Sequence, residues 1–315
     1  MAELSLYLFW TGLVTATVSA LMYLGALAAG ALGGRRLAAE TGSGTVAVEL
    51  RSERPGEGFL QLGTTLAVFA AAAFSGAVAA RWAAVGHPPL SNMYEATLAF
   101  TAALAVSYLV FERVTGQRRV GAVAMPVCAA FAGVATLFPH EVRPLVPALQ
   151  NPNLLALHVS VMMVSYAVLT LAFAGAAVYL AQGGAGRRRF AALPSAEAAE
   201  EFAHRAVLVG FPLLGLGIAL GAWWANSAWG RYWGWDPKET SALVTWLSLA
   251  AYFHARAGTG TVANAPLFRR LLPAFVRRGP RPDPMWWIVV MWGLLLFTYF
   301  GVNLWVTGLH SYAGV

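Results

Sequence analysis

Eight long apolar runs constrain this chain more than anything else in its sequence. They cover approximately Leu6–Ala29, Phe59–Ala80, Met93–Phe111, Val120–Phe138, Leu154–Ala181, Ala206–Trp224, Lys238–Ala255 and Met285–Leu309. A helix needs about 20 apolar residues to cross a hydrocarbon core of roughly 30 Å. Helices are the expected form, because in lipid each then satisfies its own backbone hydrogen bonds. Composition agrees: 58% of the residues are hydrophobic and 11% charged, against about 25% charged in a soluble domain. A water-soluble enzyme and a disordered chain are both excluded. The single cysteine, Cys128, excludes a disulfide scaffold. The first run follows Met-Ala-Glu, with no basic segment before it, and is too long for the apolar part of a signal peptide. It is read as a span. The expectation is an all-α polytopic membrane protein with about eight transmembrane helices, forming a single membrane domain over 1–315.

Eight spans put both termini on one side. The basic residues then choose the side. Of 21 lysines and arginines, 17 fall in one set of loops: Arg35, Arg36, Arg51 and Arg54; Arg113, Arg118 and Arg119; Arg187, Arg188, Arg189 and Arg205; and Arg256, Arg269, Arg270, Arg277, Arg278 and Arg281. The other set holds 4: Arg81, Arg143, Arg231 and Lys238. Cytoplasmic loops carry the excess of basic residues. Both termini are therefore expected outside, in a bacterial cytoplasmic membrane. Nucleic-acid binding would need the charges on one contiguous face, which this alternation denies.

The loop between spans six and seven is unusual. Trp223, Trp224, Trp229, Trp233 and Trp235 are five of the 12 tryptophans and lie within 13 residues. An interfacial aromatic belt would spread indoles over several helix ends. Here they crowd one segment, with Gly230 and Gly234 between them, and leave room for a flat apolar partner. Asp236-Pro237-Lys238-Glu239 also reads as a helix start. Asp caps, Pro suits the first helical position, and Glu three residues after the cap closes a capping box.

The histidines sort by side. His87, His140, His158 and His310 are expected outside. His204 falls at the inner start of span six. His254 lies 18 residues beyond Asp236, about 27 Å deeper at 1.5 Å per residue. A histidine in or beside a span is costly and often functional; the alternative for each is a hydrogen-bonded interfacial residue. Two imidazoles, His158 and His310, beside a bed of indoles suit heme. Its iron takes axial imidazoles, its macrocycle stacks on aromatic rings, and its propionates seek cations such as Arg231 and Lys238. Zinc spacings, nucleotide loops and a second thiol are all missing from the sequence.

Trp229-Gly-Arg-Tyr-Trp-Gly-Trp-Asp-Pro-Lys-Glu-Thr240 resembles the tryptophan-rich WWD signature of heme-handling proteins, and within them the CcsA/ResC type of System II cytochrome c biogenesis. Gly86-His-Pro-Pro-Leu-Ser-Asn-Met-Tyr-Glu95, the stretch around His158, and Gly308-Leu-His-Ser-Tyr312 resemble further motifs of that family. The likeness runs from about residue 86 to the C-terminus; the first two spans are generic. It implies that heme b (iron protoporphyrin IX), non-covalently bound, moves from the cytoplasmic side to the outer face. There it is attached to the CxxCH cysteines of an apocytochrome c, with a ResB-type subunit as partner. His158 and His310 map onto the external axial ligands and His254 onto a transmembrane heme ligand. The second inner ligand is left open between His204 and the partner. Trp224, Trp229, Trp233, Trp235 and Asp236 map onto the platform. The implied activity is that of a subunit of a heme-attaching synthase, in which no residue is an evident acid or base. Two other readings stand beside it: a CcmC-like protein loading a heme chaperone, and a b-type electron-transfer membrane protein.

Overall fold

The computed structural model describes residues 1–40, 56–141, 152–258, 283–306 and 308–309. Among them every regular element is helical. The helices are α1 (Ala2–Glu40), α2 (Glu57–Val85), α3 (Met93–Thr115), α4 (Gly121–Ala135, after a single 3-10 turn), α5 (Pro152–Gln182), α6 (Ala196–Trp229), α7 (Pro237–Gly258) and α8 (Met285–Leu296). A π turn, Phe297–Gly301, and a last helical turn, Val302–Leu304, extend α8.

Seven of these segments are long and apolar enough to cross a membrane. The exception is α7, the seventh expected run. It carries Lys238, Glu239 and a row of hydroxyls, and the hydroxyls turn inward. Ser241, Thr245 and Ser248 are buried. Thr245 Oγ1 donates to the Ser241 carbonyl at 2.8 Å and meets Thr298 Oγ1 of the π turn at 3.3 Å. Ser248 Oγ donates to the Thr245 carbonyl at 2.6 Å. Val244 and Leu247 face outward. The helix hides its polar side against its neighbours, which lowers its mean hydropathy without exposing that side to lipid.

Small residues let the helices approach. On α6, Gly210, Gly217 and Gly221 face α5. A Cβ at Gly210 would lie 2.5 Å from Leu169, and one at Gly217 would collide with Met162. Ser165 Oγ reaches the Gly210 carbonyl at 3.0 Å. The pair α5–α6 packs closely, as does α1–α2; α3 touches α2, α4 and α5, and α8 touches α5 and α7. Glu112 joins α1, α2 and α3, accepting from Tyr23 OH at 3.0 Å and Thr64 Oγ1 at 2.7 Å. Buried in this way, its carboxylate has polar partners in place of water.

The chain alternates direction, so α2, α4, α6 and α8 end where α1, α3, α5 and α7 begin. The Phe9 ring lies 5.5 Å from Tyr94 at the start of α3, which sets the N-terminus at this end. Leu309 binds Asp236, which sets the last described residues there too. Both therefore lie at the tryptophan-rich end. The observed α6 is longer than the run Ala206–Trp224 at both ends. Ser195 caps its start by accepting from Ala198 N at 3.2 Å. Its end is Gly230, whose φ of 73° is a left-handed stop that a side chain resists.

Candidate functional site

The tryptophan-rich segment is only partly a loop. Trp223, Trp224 and Trp229 ride on the last turns of α6, and Trp233 and Trp235 follow it. The connection is held by a capping box at the start of α7. Asp236 Oδ1 accepts from Lys238 N at 3.0 Å, and Glu239 Oε2 reaches back to Asp236 N at 3.1 Å. Glu239 also takes Gly234 N at 2.8 Å. One carboxylate thus fixes two points of the loop. The second Asp236 oxygen, Oδ2, accepts from Leu309 N at 2.6 Å. A Cβ at Gly308 would lie 2.6 Å from that oxygen, so the approach needs a glycine. The cap therefore ties the loop to the residue just before His310. His310 itself lies outside the described residues.

Beneath this loop a cavity of about 1070 Å³, counting the space at its mouth, opens between the starts of α3, α5 and α7 and the ends of α6 and α8. His158, Trp224, Trp233, Lys238 and Asn303 line it, with Met93, Met162, Met163 and Tyr166 as apolar wall. Its lining, mostly apolar with a few fixed polar groups, is of the kind that holds a ligand.

His158 is locked. Its Nδ1 lies 2.9 Å from the Gly217 carbonyl. A carbonyl only accepts, so Nδ1 carries the proton, and in the neutral ring Nε2 is the basic nitrogen. Histidine ligands to metals commonly use this arrangement, with the far N–H given to a carbonyl. The ring lies parallel to Trp224 at 6.2 Å and 6°. A Cβ at Gly221 would stand 2.7 Å from His158 Cε1. Trp224 is fully buried and Trp229 packs edge-on against it at 4.8 Å.

The polar end of the cavity is Lys238. Its Nζ donates to Asn303 Oδ1 at 2.8 Å, while Asn303 Nδ2 donates to the Tyr299 carbonyl at 2.6 Å. The π turn brings Tyr299 and Asn303 to the cavity. The structure thus gathers His158, Trp224, Trp233 and Lys238 and leaves other expected residues out of the lining. Trp229 supports from behind. Trp235 is 70% exposed, at a φ of 55°, and meets Trp233 edge-on at 5.7 Å. Arg231 is exposed and covers Gly234. Asp236 is buried as a cap.

A family model described as cytochrome C assembly protein matches residues 90–269, more than half of the chain. Among similar proteins, "Cytochrome c biogenesis protein CcsA" of Synechococcus elongatus is 35% identical over 306 residues, covering 81% of this chain and 88% of that protein. The CcsA protein of Guillardia theta is 37% identical over 256 residues, with 74% and 79% covered. This chain belongs to the cytochrome c assembly family. A solved structure titled "Cytochrome c Heme Lyase CcmF" superposes with a TM-score of 0.62 at 19% identity, covering 95% of this chain and 46% of that one. At that identity the likeness is one of fold.

Within this cytochrome c assembly chain, His254 sits apart from the cavity. It is exposed near the far end of α7, with Nδ1 2.8 Å from its own helix's Ala250 carbonyl. His204, on α6, has its Nδ1 2.9 Å from the Tyr252 OH of α7. The sequence reading missed three things. Asn303 was one: a lone amide in an apolar run, a costly placement that could have flagged it. Gly217 and Gly221 were another, visible only as small residues in a span. The third is Arg81, counted above as a loop cation. It lies within α2 and is buried, its Nε 2.9 Å from Glu95 Oε1. Glu95 Oε2 also accepts from Ser91 N and Oγ at 3.0 and 2.6 Å. That pair fixes the 90–93 stretch that walls the cavity.

Proposed function

We propose that this chain serves cytochrome c biogenesis by moving heme b across a bacterial cytoplasmic membrane and presenting it at the tryptophan-rich end. There it is attached to the CxxCH cysteines of an apocytochrome c, with a ResB-type subunit completing the machinery. The chain acts as one membrane domain, with that end outside, because the arginine-rich loops stay in the cytoplasm. The observation that carries the reading is His158: a ring oriented by the Gly217 carbonyl, parallel to buried Trp224, in a cavity whose polar end is Lys238.

Heme is flat, largely apolar and anionic at its propionates, so it needs a protein host at each stop. In this reading His158 and His310 are the axial ligands at the outer stop and His254 is a ligand at the inner one. Lys238, steadied by Asn303, answers a propionate. Trp224 and Trp233 line the apolar wall, with Trp229, Trp235, Asp236 and Arg231 shaping the platform around them. Bound non-covalently, heme is positioned so that each cysteine adds its S–H across a vinyl group, sulfur to the carbon nearer the ring and hydrogen to the outer carbon. The protein's contribution is proximity and orientation.

The test is the double variant His158→Gly, His310→Gly in the intact complex. Loss of the bis-histidine absorption spectrum and of covalent cytochrome c is the expected result. Unchanged heme content and maturation would overturn the ligand assignment. Deleting the gene and staining for covalent heme tests the wider role, which c-type cytochromes persisting at full level would refute.

A further inference from the structure

The end opposite the tryptophan loop holds a second cavity, of about 1380 Å³ counting the space at its mouth. It opens where α2 starts, where α3 ends, and beside the connection from α5 to α6. Arg118, Arg119 and Arg188 line it, with Glu57 as the acidic member and Leu60 and Leu193 as apolar wall.

The arginines have donors to spare. Arg118 stands 3.7 Å from Glu57 and 3.4 Å from Glu112, so its charge is shared. Arg119 gives one N–H to the Ala192 carbonyl at 2.6 Å, and Arg188 one to Ala191 at 3.4 Å. Among the described residues neither of these two has a carboxylate within ion-pair distance. Each guanidinium carries five donors in a planar fork, and that fork matches phosphate oxygens. The cavity lies level with several ends of helices long and apolar enough to cross a membrane, which is where hydrocarbon gives way to water. Buried Leu60 and partly buried Leu193 give it an apolar wall, while Arg188 is exposed at its rim. Cations beside an apolar wall at that depth match a lipid, whose phosphate and acyl chains meet there.

We propose that this cavity seats the phosphate of an anionic phospholipid of the arginine-rich leaflet. The lipid joins the α2–α3 end to the α5–α6 connection. The proposal stands apart from the heme reading, since its readout is bound lipid rather than heme.

The test uses the full chain in detergent, with native mass spectrometry after mixing with phosphatidylglycerol or phosphatidylcholine. Phosphatidylglycerol is expected to be retained in preference, and retention to fall about fivefold for each arginine removed by Arg119→Gln or Arg188→Gln. Arg188 is exposed, so its variant carries the test should Arg119→Gln fail to fold. Arg113→Gln, at an exposed arginine in the last turn of α3 that is outside the cavity lining, is expected to keep the preference. Equal retention of the two lipids, undiminished retention in the double variant, or an equal loss in Arg113→Gln overturns the proposal. Inorganic phosphate raising the melting temperature through these arginines, without any lipid preference, overturns the lipid as the source.

Discussion

His158 and His254 are both histidines of membrane helices, yet the fold treats them differently. His158 gives its Nδ1 proton to a carbonyl of another helix, lies parallel to a buried indole and lines a cavity. His254 bonds within its own helix and points outward. The first is fixed by tertiary contacts; among the described residues, the second is held by α7 alone. A preformed site at one end and an outward-facing histidine at the other fit a relay whose outer stop is built by this chain. In the relay proposed above, the inner stop needs a further ligand from outside this chain. Arg256 and Glu200 pair across α6 and α7 at that far end, so the helix carrying His254 is anchored even though its imidazole points away.

The comparison breaks most directly at Gly221. A Cβ there would meet the His158 ring at 2.7 Å, and valine adds two methyl groups. Gly221→Val is expected to turn the imidazole off the Gly217 carbonyl and to lower heme retention about 10- to 100-fold, the usual range for losing an orienting partner. Heme per protein in the purified complex measures it. Wild-type heme content would mean that His158 does not need this setting.

Asp236 tests how the loop is held. Its two carboxylate oxygens serve two separate N–H groups, Lys238 and Leu309. Asp236→Ala loses both and is expected to cost about 1–3 kcal/mol. Asp236→Asn has one oxygen left. If that oxygen keeps the cap, the tail before His310 is released while α7 stays in place. Faster proteolysis of the C-terminal tail with a smaller loss of melting temperature is the expected result for asparagine. Identical tail cleavage in wild type and both variants would show that Leu309 is held by something else.

Within the cavity, Lys238→Met is expected to weaken heme retention more than Arg231→Gln, because Lys238 lines the cavity and Arg231 covers Gly234 from outside. Titrating heme into both variants ranks them, and equal losses would return Arg231 to the site.

Much of this was legible in the sequence, for definite reasons. The spans followed from apolar length, and the start of α7 from Asp-Pro-Lys-Glu, because capping is a local hydrogen-bond pattern. His158 was identifiable through its motif. The cavity was not, since it depends on where α5 and α6 touch, and that is set by Gly217 and Gly221, whose contribution is the absence of a side chain. Arg81 was counted as a loop charge because distance along the chain does not reveal Glu95, 14 residues on. The outward setting of Trp235 was not legible either, since it comes from a backbone turn at φ 55°.

The smallest expected effect bears on the opening contrast itself. In the heme-free protein, His254→Ala removes, among the described residues, a bond within one helix turn from an exposed side chain, and surface changes of that kind stay within about 0.5 kcal/mol. His158→Ala removes an interhelical hydrogen bond and the contact with Trp224, and is expected to cost about 1–3 kcal/mol. Thermal unfolding of both variants in one detergent separates them. Equal losses would mean that His254 is built in as firmly as His158, and the asymmetry between the two ends would fall. With wild-type stability confirmed, the same His254→Ala protein joined to the proposed ResB-type partner isolates ligation from folding. There, reduced heme beside an unchanged melting temperature is the outcome a ligand at an incomplete inner stop requires.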